Sequence, residues 1–151
     1  ALGDYAEAEP LFERAIAIDR KVYGPDHAEV AADYNNLAGL LEARGDDAGA
    51  EKHYERAVAI WGDENAHAAT ALNNLALLKW RAAAARPAKG TSVREKKGAA
   101  RARGLKWEDA LKLQKRAIAI AKAHDSPVLD QYHTELAQLE HKKPYPYPSS
   151  S

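Results

Sequence analysis

The sequence predicts an all-α protein built as an α-solenoid of antiparallel helix pairs. The 151 residues include 33 Ala and 15 Leu against only 13 β-branched residues. Ala and Leu are strong helix formers, whereas β-branched residues favour strands. A segment that recurs at an interval of 42 residues predicts stacked helical units, because one short unit cannot bury its apolar face alone.

The first element of this repeat occurs three times along the chain. Residues 3–18 match residues 45–60, and a third copy covers residues 105–120. Each copy ends in Arg-Ala, then Ile or Val, then Ala-Ile. The apolar residues of the first copy follow the i, i+3, i+4, i+7 spacing of one buried helix face; they are Ala8, Leu11, Phe12, Ala15 and Ile18.

A second element lies between the copies of the first. It reads Asn-Asn-Leu-Ala at 35–38 and at 73–76, and Thr-Glu-Leu-Ala at 134–137. The apolar spacing around it is also helical, Gly45 fits a helix stop, and Ser126 followed by Pro127 fits a helix start. The two elements together predict six helices, at residues 4–22, 27–44, 46–61, 64–85, 105–123 and 127–142.

Small residues recur where such helices must approach closely: Ala8, Ala50 and Ala110, then Ala15, Ala57 and Ala117, and in the second element Ala38, Ala76 and Ala137. This pattern resembles the tetratricopeptide repeat. The 42-residue spacing and the connector 23–31 resemble kinesin light chains in particular. The resemblance implies a right-handed superhelix whose concave groove binds a peptide or protein partner.

The resemblance also predicts how the chain is organised. Residues 1–85 form repeats that start in the second helix of a unit, and residues 105–142 form a third unit. Residues 86–104 hold seven basic residues and one acid and are predicted to be a flexible insertion. The alternatives for this segment are contact with an acidic partner, an anionic membrane or microtubule surface, or nucleic acid. Residues 143–151 are predicted to be a disordered tail.

Enzymatic chemistry is not predicted. Cys is absent, so disulfides, thiol nucleophiles and Cys-ligated zinc are excluded. The six His residues never lie four apart on one helix, and no Gly-rich phosphate loop or Ser/His/acid arrangement is present. With 22 basic and 22 acidic residues the formal net charge is zero, so nucleic acid is not an expected partner. No cofactor, metal or membrane span is expected.

Paired Asn residues are the main candidates for ligand binding. A helical projection of 27–44 and 64–85 gives each segment one face beside its buried stripe. A carboxamide both donates and accepts, so it can bind a peptide backbone of any sequence. The resemblance implies that Asn36 and Asn74 face the groove, whereas Asn35 and Asn73 are assigned a structural role. The predicted groove residues are Ala32, Asn36, Gly39, Thr70, Asn74, Leu77 and Arg81.

One alternative remains for the role of these side chains. All four Asn residues could bond only neighbouring helices or water. In the third copy Glu135 replaces the second Asn, which departs from the pattern. Basic residues that would suit an acidic ligand are few on 64–85, where Lys79 and Arg81 are the candidates.

The predicted function is that of a cytoplasmic adaptor or scaffold without catalytic activity. The resemblance implies that a kinesin heavy chain would be contacted through regions outside these residues. One alternative is a regulatory or sensor arm of a larger signalling protein, of the nucleotide-binding switch or nephrocystin-like kind. Another is an appendage of an enzyme whose catalytic domain lies elsewhere. A coiled coil upstream would favour the motor adaptor, and a nucleotide-binding loop would favour the switch protein.

Overall fold

The computed structural model describes residues 2–85, 90 and 92–141, and it confirms the predicted all-α class. The described residues form six helices and no strand. Each helix packs against the next one in chain order, as expected of an α-solenoid. The helices are α1 (Leu2–Tyr23), α2 (Ala28–Arg44), α3 (Asp47–Trp61), α4 (Ala66–Ala84), α5 (Val93–Ala123) and α6 (Leu129–His141).

Most of the small residues that the sequence places at helix contacts lie at the centre of this stack, while Ala8 and Ala15 are half-buried and Ala137 is exposed. Six of them are 0% exposed, and this is what close packing of helices requires of residues at the contact. Larger apolar side chains fill the space between the helices and include Leu37, Leu72 and Leu75, each at most 2% exposed. The six buried small residues are Ala38, Ala50, Ala57, Ala76, Ala110 and Ala117.

Local capping sets the helix ends in the first two-thirds of the chain. Gly45 adopts the left-handed conformation with φ of 88°, and its N–H donates to the Glu42 carbonyl. This is the helix stop that the sequence predicts. The next residue, Asp46, caps α3 by accepting a hydrogen bond from the Gly49 N–H at 3.0 Å. Asn65 caps α4 in the same way through the His67 N–H.

Helix α5 begins at Val93, twelve residues earlier than the predicted start at residue 105. Residues 93–104 of the predicted flexible insertion 86–104 thus form the first part of this helix. The reason is a capping box: the Ser92 hydroxyl accepts from the Glu95 N–H, and the Glu95 carboxylate accepts from the Ser92 N–H. The Ala, Arg and Lys residues that follow are good helix formers. Residues 86–89 and 91 and the predicted tail lie outside the described residues.

We expect Ser92→Ala to loosen the start of α5. Loss of an N-cap side chain typically costs about 1 kcal/mol of helix stability. Amide hydrogen exchange over 93–104 should therefore become several-fold faster, with the other helices unchanged. Asn65→Ala is the matched control, because it removes the cap of α4 and should speed exchange there only. Unchanged exchange over 93–104 in the Ser92 variant would contradict the capping box.

Candidate functional site

Helices α2 and α4 are joined at their C-terminal ends. The Arg81 guanidinium of α4 donates from Nη2 to Glu42 Oε1 of α2 at 2.6 Å. Helical spacing then places the predicted residues of each helix on the turns leading up to this ion pair. We call this surface the α2–α4 face, defined by Ala32, Asn36 and Gly39 of α2 and Thr70, Asn74, Leu77 and Arg81 of α4.

The Tyr54 hydroxyl of α3 lies beneath this face. Tyr54 is only 1% exposed, and its hydroxyl donates to Glu42 Oε2 at 2.9 Å. Asn74 Nδ2 donates to the same hydroxyl oxygen at 3.4 Å. A Cβ added at Gly39 would lie 3.7 Å from that oxygen, which is ordinary contact distance. The fold thus gathers Gly39, Asn74 and Arg81 around one buried phenol and its carboxylate partner.

The charges in this cluster are already paired. The two carboxylate oxygens of Glu42 accept separately from Tyr54 and Arg81. Arg81 also lies 3.8 Å from Asp47. Burial, followed by the Glu42 charge, raises the pKa of Tyr54, so the phenol stays a donor at neutral pH. Arg81 is therefore a cation whose charge is already balanced by acids of the protein.

Lys79, the other basic candidate on α4, is paired as well. Its ammonium group contacts Glu51 and lies 3.6 Å from the Glu55 carboxylate. Burial lowers the pKa of Lys79, but the hydrogen bond to Glu51 and the neighbouring acids outweigh it and raise the pKa overall. The two basic candidates of α4 are thus neutralised within the protein.

The two Asn pairs are oriented alike. Asn73 is 4% exposed, and the Oδ1 atoms of Asn35 and Asn73 are buried without a hydrogen-bond partner among the described residues. Asn36 is exposed and Asn74 is half-buried. The first Asn of each pair therefore points inward and the second lies nearer the surface. The two outer carboxamides therefore belong to the two helices that the Arg81–Glu42 ion pair joins.

The remaining residues of the α2–α4 face differ in solvent exposure and in hydrogen bonding. Thr70 is exposed, and its hydroxyl oxygen accepts from the Tyr132 hydroxyl of α6 at 3.2 Å. Ala32, Gly39 and Leu77 are half-buried. These residues supply shape rather than charge, because none of their side chains is ionisable.

The third copy of the repeat differs at the position of the second Asn. Glu135, which stands where the second Asn is expected, accepts from Gln131 Nε2 at 2.9 Å. It also lies 3.5 Å from Gln114 Nε2. Sequence reasoning missed Gln114, which is 0% exposed and donates to the Tyr132 carbonyl at 3.1 Å. Its position between Ala110 and Ala117 corresponds to that of Tyr54 between Ala50 and Ala57, and this correspondence was the available signal.

Two clefts on the side of α1, α3 and α5 were also missed. One, of about 460 Å³, lies between α3, α4 and α5 and is lined in part by Lys79, Lys112 and Arg116. The other, of about 570 Å³, lies between α1 and α3 over the Tyr34 and His53 rings, which stack at 5.6 Å. The charged residues of each cleft come from helices far apart in the sequence. In the sequence alone, each of them is indistinguishable from a charged residue on a solvent-exposed helix face.

Within 2–85, 90 and 92–141, no group of three or more His, Asp or Glu residues is placed to hold a metal ion. No helix in this part of the chain has both the length and the apolar character needed to cross a membrane. The arrangement at the α2–α4 face offers hydrogen bonding and contact area.

Comparison with known families bears on the N-terminal part of this architecture. Residues 1–63 match the family model described as Tetratricopeptide repeat. This match supports a tetratricopeptide repeat protein. It spans α1, α2 and α3. These helices include the first copy of both repeat elements and the second copy of the first element, at residues 45–60. The kinesin light chain type of the repeat stays a prediction.

One solved structure that resembles this chain is the crystal structure of BtubC (BKLC) from P. vanneervenii. The two share 19% sequence identity with a TM-score of 0.48. The similarity covers 99% of this chain and 63% of the other, so this chain spans less than two-thirds of that protein's length. A comparison with curated proteins finds no match.

Proposed function

We propose that the chain is a non-catalytic interaction module that binds an extended peptide or protein segment across the α2–α4 face. Tetratricopeptide repeats generally mediate protein–protein interactions, and residues 1–63 match that family. The observation that carries the proposal is the pair of outer carboxamides, Asn36 and Asn74, on two helices joined by the Arg81–Glu42 ion pair.

The chemistry of the face favours recognition of backbone rather than of charge. Each outer Asn can donate to a peptide carbonyl and accept from a peptide N–H. Ala32 and Gly39 leave room for a backbone to approach, and Leu77 offers an apolar contact. Since Arg81 and Lys79 are already paired with acids, an acidic ligand gains little from them. The ligand class we propose is therefore an extended segment of low net charge.

Within this role, we place the chain as an adaptor or scaffold of the kinesin light chain type in the cytoplasm. The 42-residue repeat and the 23–31 connector support that finer assignment. A regulatory arm of a signalling protein would use the same face against its own neighbouring domains. Any contact with a kinesin heavy chain would fall to regions outside these residues.

A panel of labelled peptides titrated against the protein by fluorescence anisotropy tests the proposal. The double variant Asn36→Ala with Asn74→Ala should weaken binding by about 1–3 kcal/mol, since a net hydrogen bond contributes about 0.5–1.5 kcal/mol. In affinity this is a loss of about five- to 150-fold. Peptides rich in acidic residues should bind no more tightly than neutral ones of the same length.

The matched control for this experiment is the double variant Asn35→Ala with Asn73→Ala. It removes the same side chain from the same two helices, but on the inward side. Binding by the folded fraction should stay within about twofold of the original protein, because these side chains do not reach the ligand. Equal losses in the two double variants, or no loss in the first, would remove the α2–α4 face from the binding site.

A further inference from the structure

The cleft between α1 and α3 collects cations from both helices. Arg20 comes from the last turn of α1, whereas Lys52 and Arg56 come from α3, where their spacing places them on one helical face. The cleft has a volume of about 570 Å³, within the range of about 300–1,000 Å³ that is typical of small-molecule sites. We call it the α1–α3 cleft, and its charged and aromatic lining residues are Arg20, Tyr34, Lys52, His53, Glu55 and Arg56.

The cations of the α1–α3 cleft exceed the acids available to them. Arg20 and Lys52 form no ion pair within the described part of the chain. Arg56 lies 3.4 Å from Asp26, but both side chains are exposed, and an exposed pair contributes little. Glu55, the one acid among the described lining residues, lies 3.6 Å from the ammonium group of a lysine of α4. The cleft therefore holds positive charge that an anionic ligand can neutralise.

Two stacked rings line the same cleft. Tyr34 of α2 and His53 of α3 have ring centroids 5.6 Å apart and an angle of 16° between their planes. Both side chains are half-buried, so part of this flat surface faces the cleft. Burial, followed by the Lys52 charge, lowers the pKa of His53, and nearby acids offset this only in part. The His53 ring is therefore neutral at neutral pH, and the two rings offer a flat uncharged surface on which a ligand ring can stack.

The next unit of the repeat holds a matching cleft between α3 and α5 that lacks these features. Leu72 and Leu113 stand there in place of the two rings, and Gly62 stands in place of Arg20. A second acid, Asp109, lines that cleft as well. Because Leu fills these positions in the α3–α5 cleft, packing of the repeat does not require the two rings or the third cation of the α1–α3 cleft.

The undescribed residues of this chain do not supply an anion for the α1–α3 cleft. Residues 1, 86–89, 91 and 142–151 contain four basic residues and no acid. Their charge has the same sign as that of the cleft, so the electrostatic interaction between them is repulsive. The charge of the cleft therefore favours a separate anionic ligand.

We propose that the α1–α3 cleft binds a small ligand that joins a phosphate group to a flat ring. The phosphate lies among the three cations, and the ring stacks against Tyr34 and His53. Arginine favours phosphate because its planar guanidinium donates two parallel hydrogen bonds to two oxygens at once. The α1–α3 cleft shares no lining residue with the α2–α4 face, so it adds a second binding site to the one proposed there.

An NMR titration of the isotope-labelled whole chain at low salt tests the α1–α3 cleft. The probes are adenosine monophosphate and O-phosphotyrosine, which are two sources of the same chemistry. At least one of them should shift the amide signals of the cleft residues and saturate with a Kd of about 1 mM or below. Inorganic phosphate should bind about tenfold more weakly because it lacks the ring. Adenosine and tyrosine should not saturate because they lack the phosphate, and the tighter of the two probes identifies the source.

The repeat provides a matched pair of variants for this titration. Lys52→Ala removes an unpaired cation from the α1–α3 cleft and should weaken binding of the tighter probe about tenfold. Lys112→Ala removes the same residue from the equivalent position of α5 and should leave the affinity within about twofold. Tyr34→Leu gives the α1–α3 cleft the residue found in the α3–α5 cleft and should lower the affinity of the probe to that of inorganic phosphate.

Three results would overturn the proposal. One is the absence of a saturable shift in the cleft residues with either probe up to about 10 mM. Another is an equal loss of affinity in the Lys52 and Lys112 variants. The third is a Tyr34→Leu variant that keeps the preference for the ring-bearing probe while circular dichroism shows that it is folded.

Discussion

Replacing Tyr54 with Ala is expected to lower the free energy of unfolding by about 3–5 kcal/mol, the usual cost of removing a buried aromatic side chain. Tyr54 is 1% exposed and packs among α2, α3 and α4. Its loss leaves a cavity at the centre of the stack and deprives Glu42 and Asn74 of a shared partner. Urea denaturation followed by circular dichroism measures the change directly.

Two further variants separate packing from hydrogen bonding at this position. Tyr54→Phe keeps the ring and should cost only about 0.5–1.5 kcal/mol, the net contribution of the hydroxyl's bonds. Phe12→Ala removes the aromatic ring at the equivalent position of α1, which is half-buried, so it should cost less than Tyr54→Ala. A cost for Tyr54→Ala no larger than that for Tyr54→Phe would show that the ring is not central to the core.

Replacing Gln114 with Ala is expected to lower the free energy of unfolding by about 1–3 kcal/mol. That is the cost of leaving a buried polar group without its partner. Gln114 is 0% exposed, and its Nε2 donates to the Tyr132 carbonyl, so it joins α5 to α6. We expect α6 to open before the rest of the stack, because its packing contacts are mainly with α5. Hydrogen exchange over residues 129–141 should accelerate most.

Gln114→Leu serves as the control that keeps the volume. Its side chain fills the same space, and it also removes Oε1, which is buried without a hydrogen-bond partner among the described residues. The Leu variant should therefore cost less than the Ala variant, although the Tyr132 carbonyl still loses its donor. If the Leu variant costs more, the carboxamide matters more to α6 than the filling of the cavity does.

Much of the architecture could be predicted because helices are specified by residues close together in sequence. The spacing of Ala8, Leu11, Phe12 and Ala15 predicts a helix there, and α1 contains these residues. Gly45 predicts a helix stop, and the backbone turns left-handed there. The capping box at Ser92 was equally local and could have been recognised, since Ser followed three residues later by Glu is a helix-start pattern.

Less of the candidate site could be predicted. The repeat singles out Asn36 and Asn74, and helical geometry gives the face on which each lies. The pairing of Arg81 with Glu42, 39 residues away in sequence, could not be foreseen, because it depends on how far α4 is shifted along α2. For the same reason the sequence could name Arg81 only as a candidate basic groove residue, and its ion pair with Glu42 is seen only in the structure.

The amino-acid sequence by itself determined the helical class, the repeat and the small residues at the helix contacts, because each depends on a spacing of a few residues. The tertiary structure alone decided which charges are neutralised and that Tyr54 lies beneath the α2–α4 face. Those properties depend on the distances between helices far apart in the chain. Such distances are set by packing, and no local pattern encodes them.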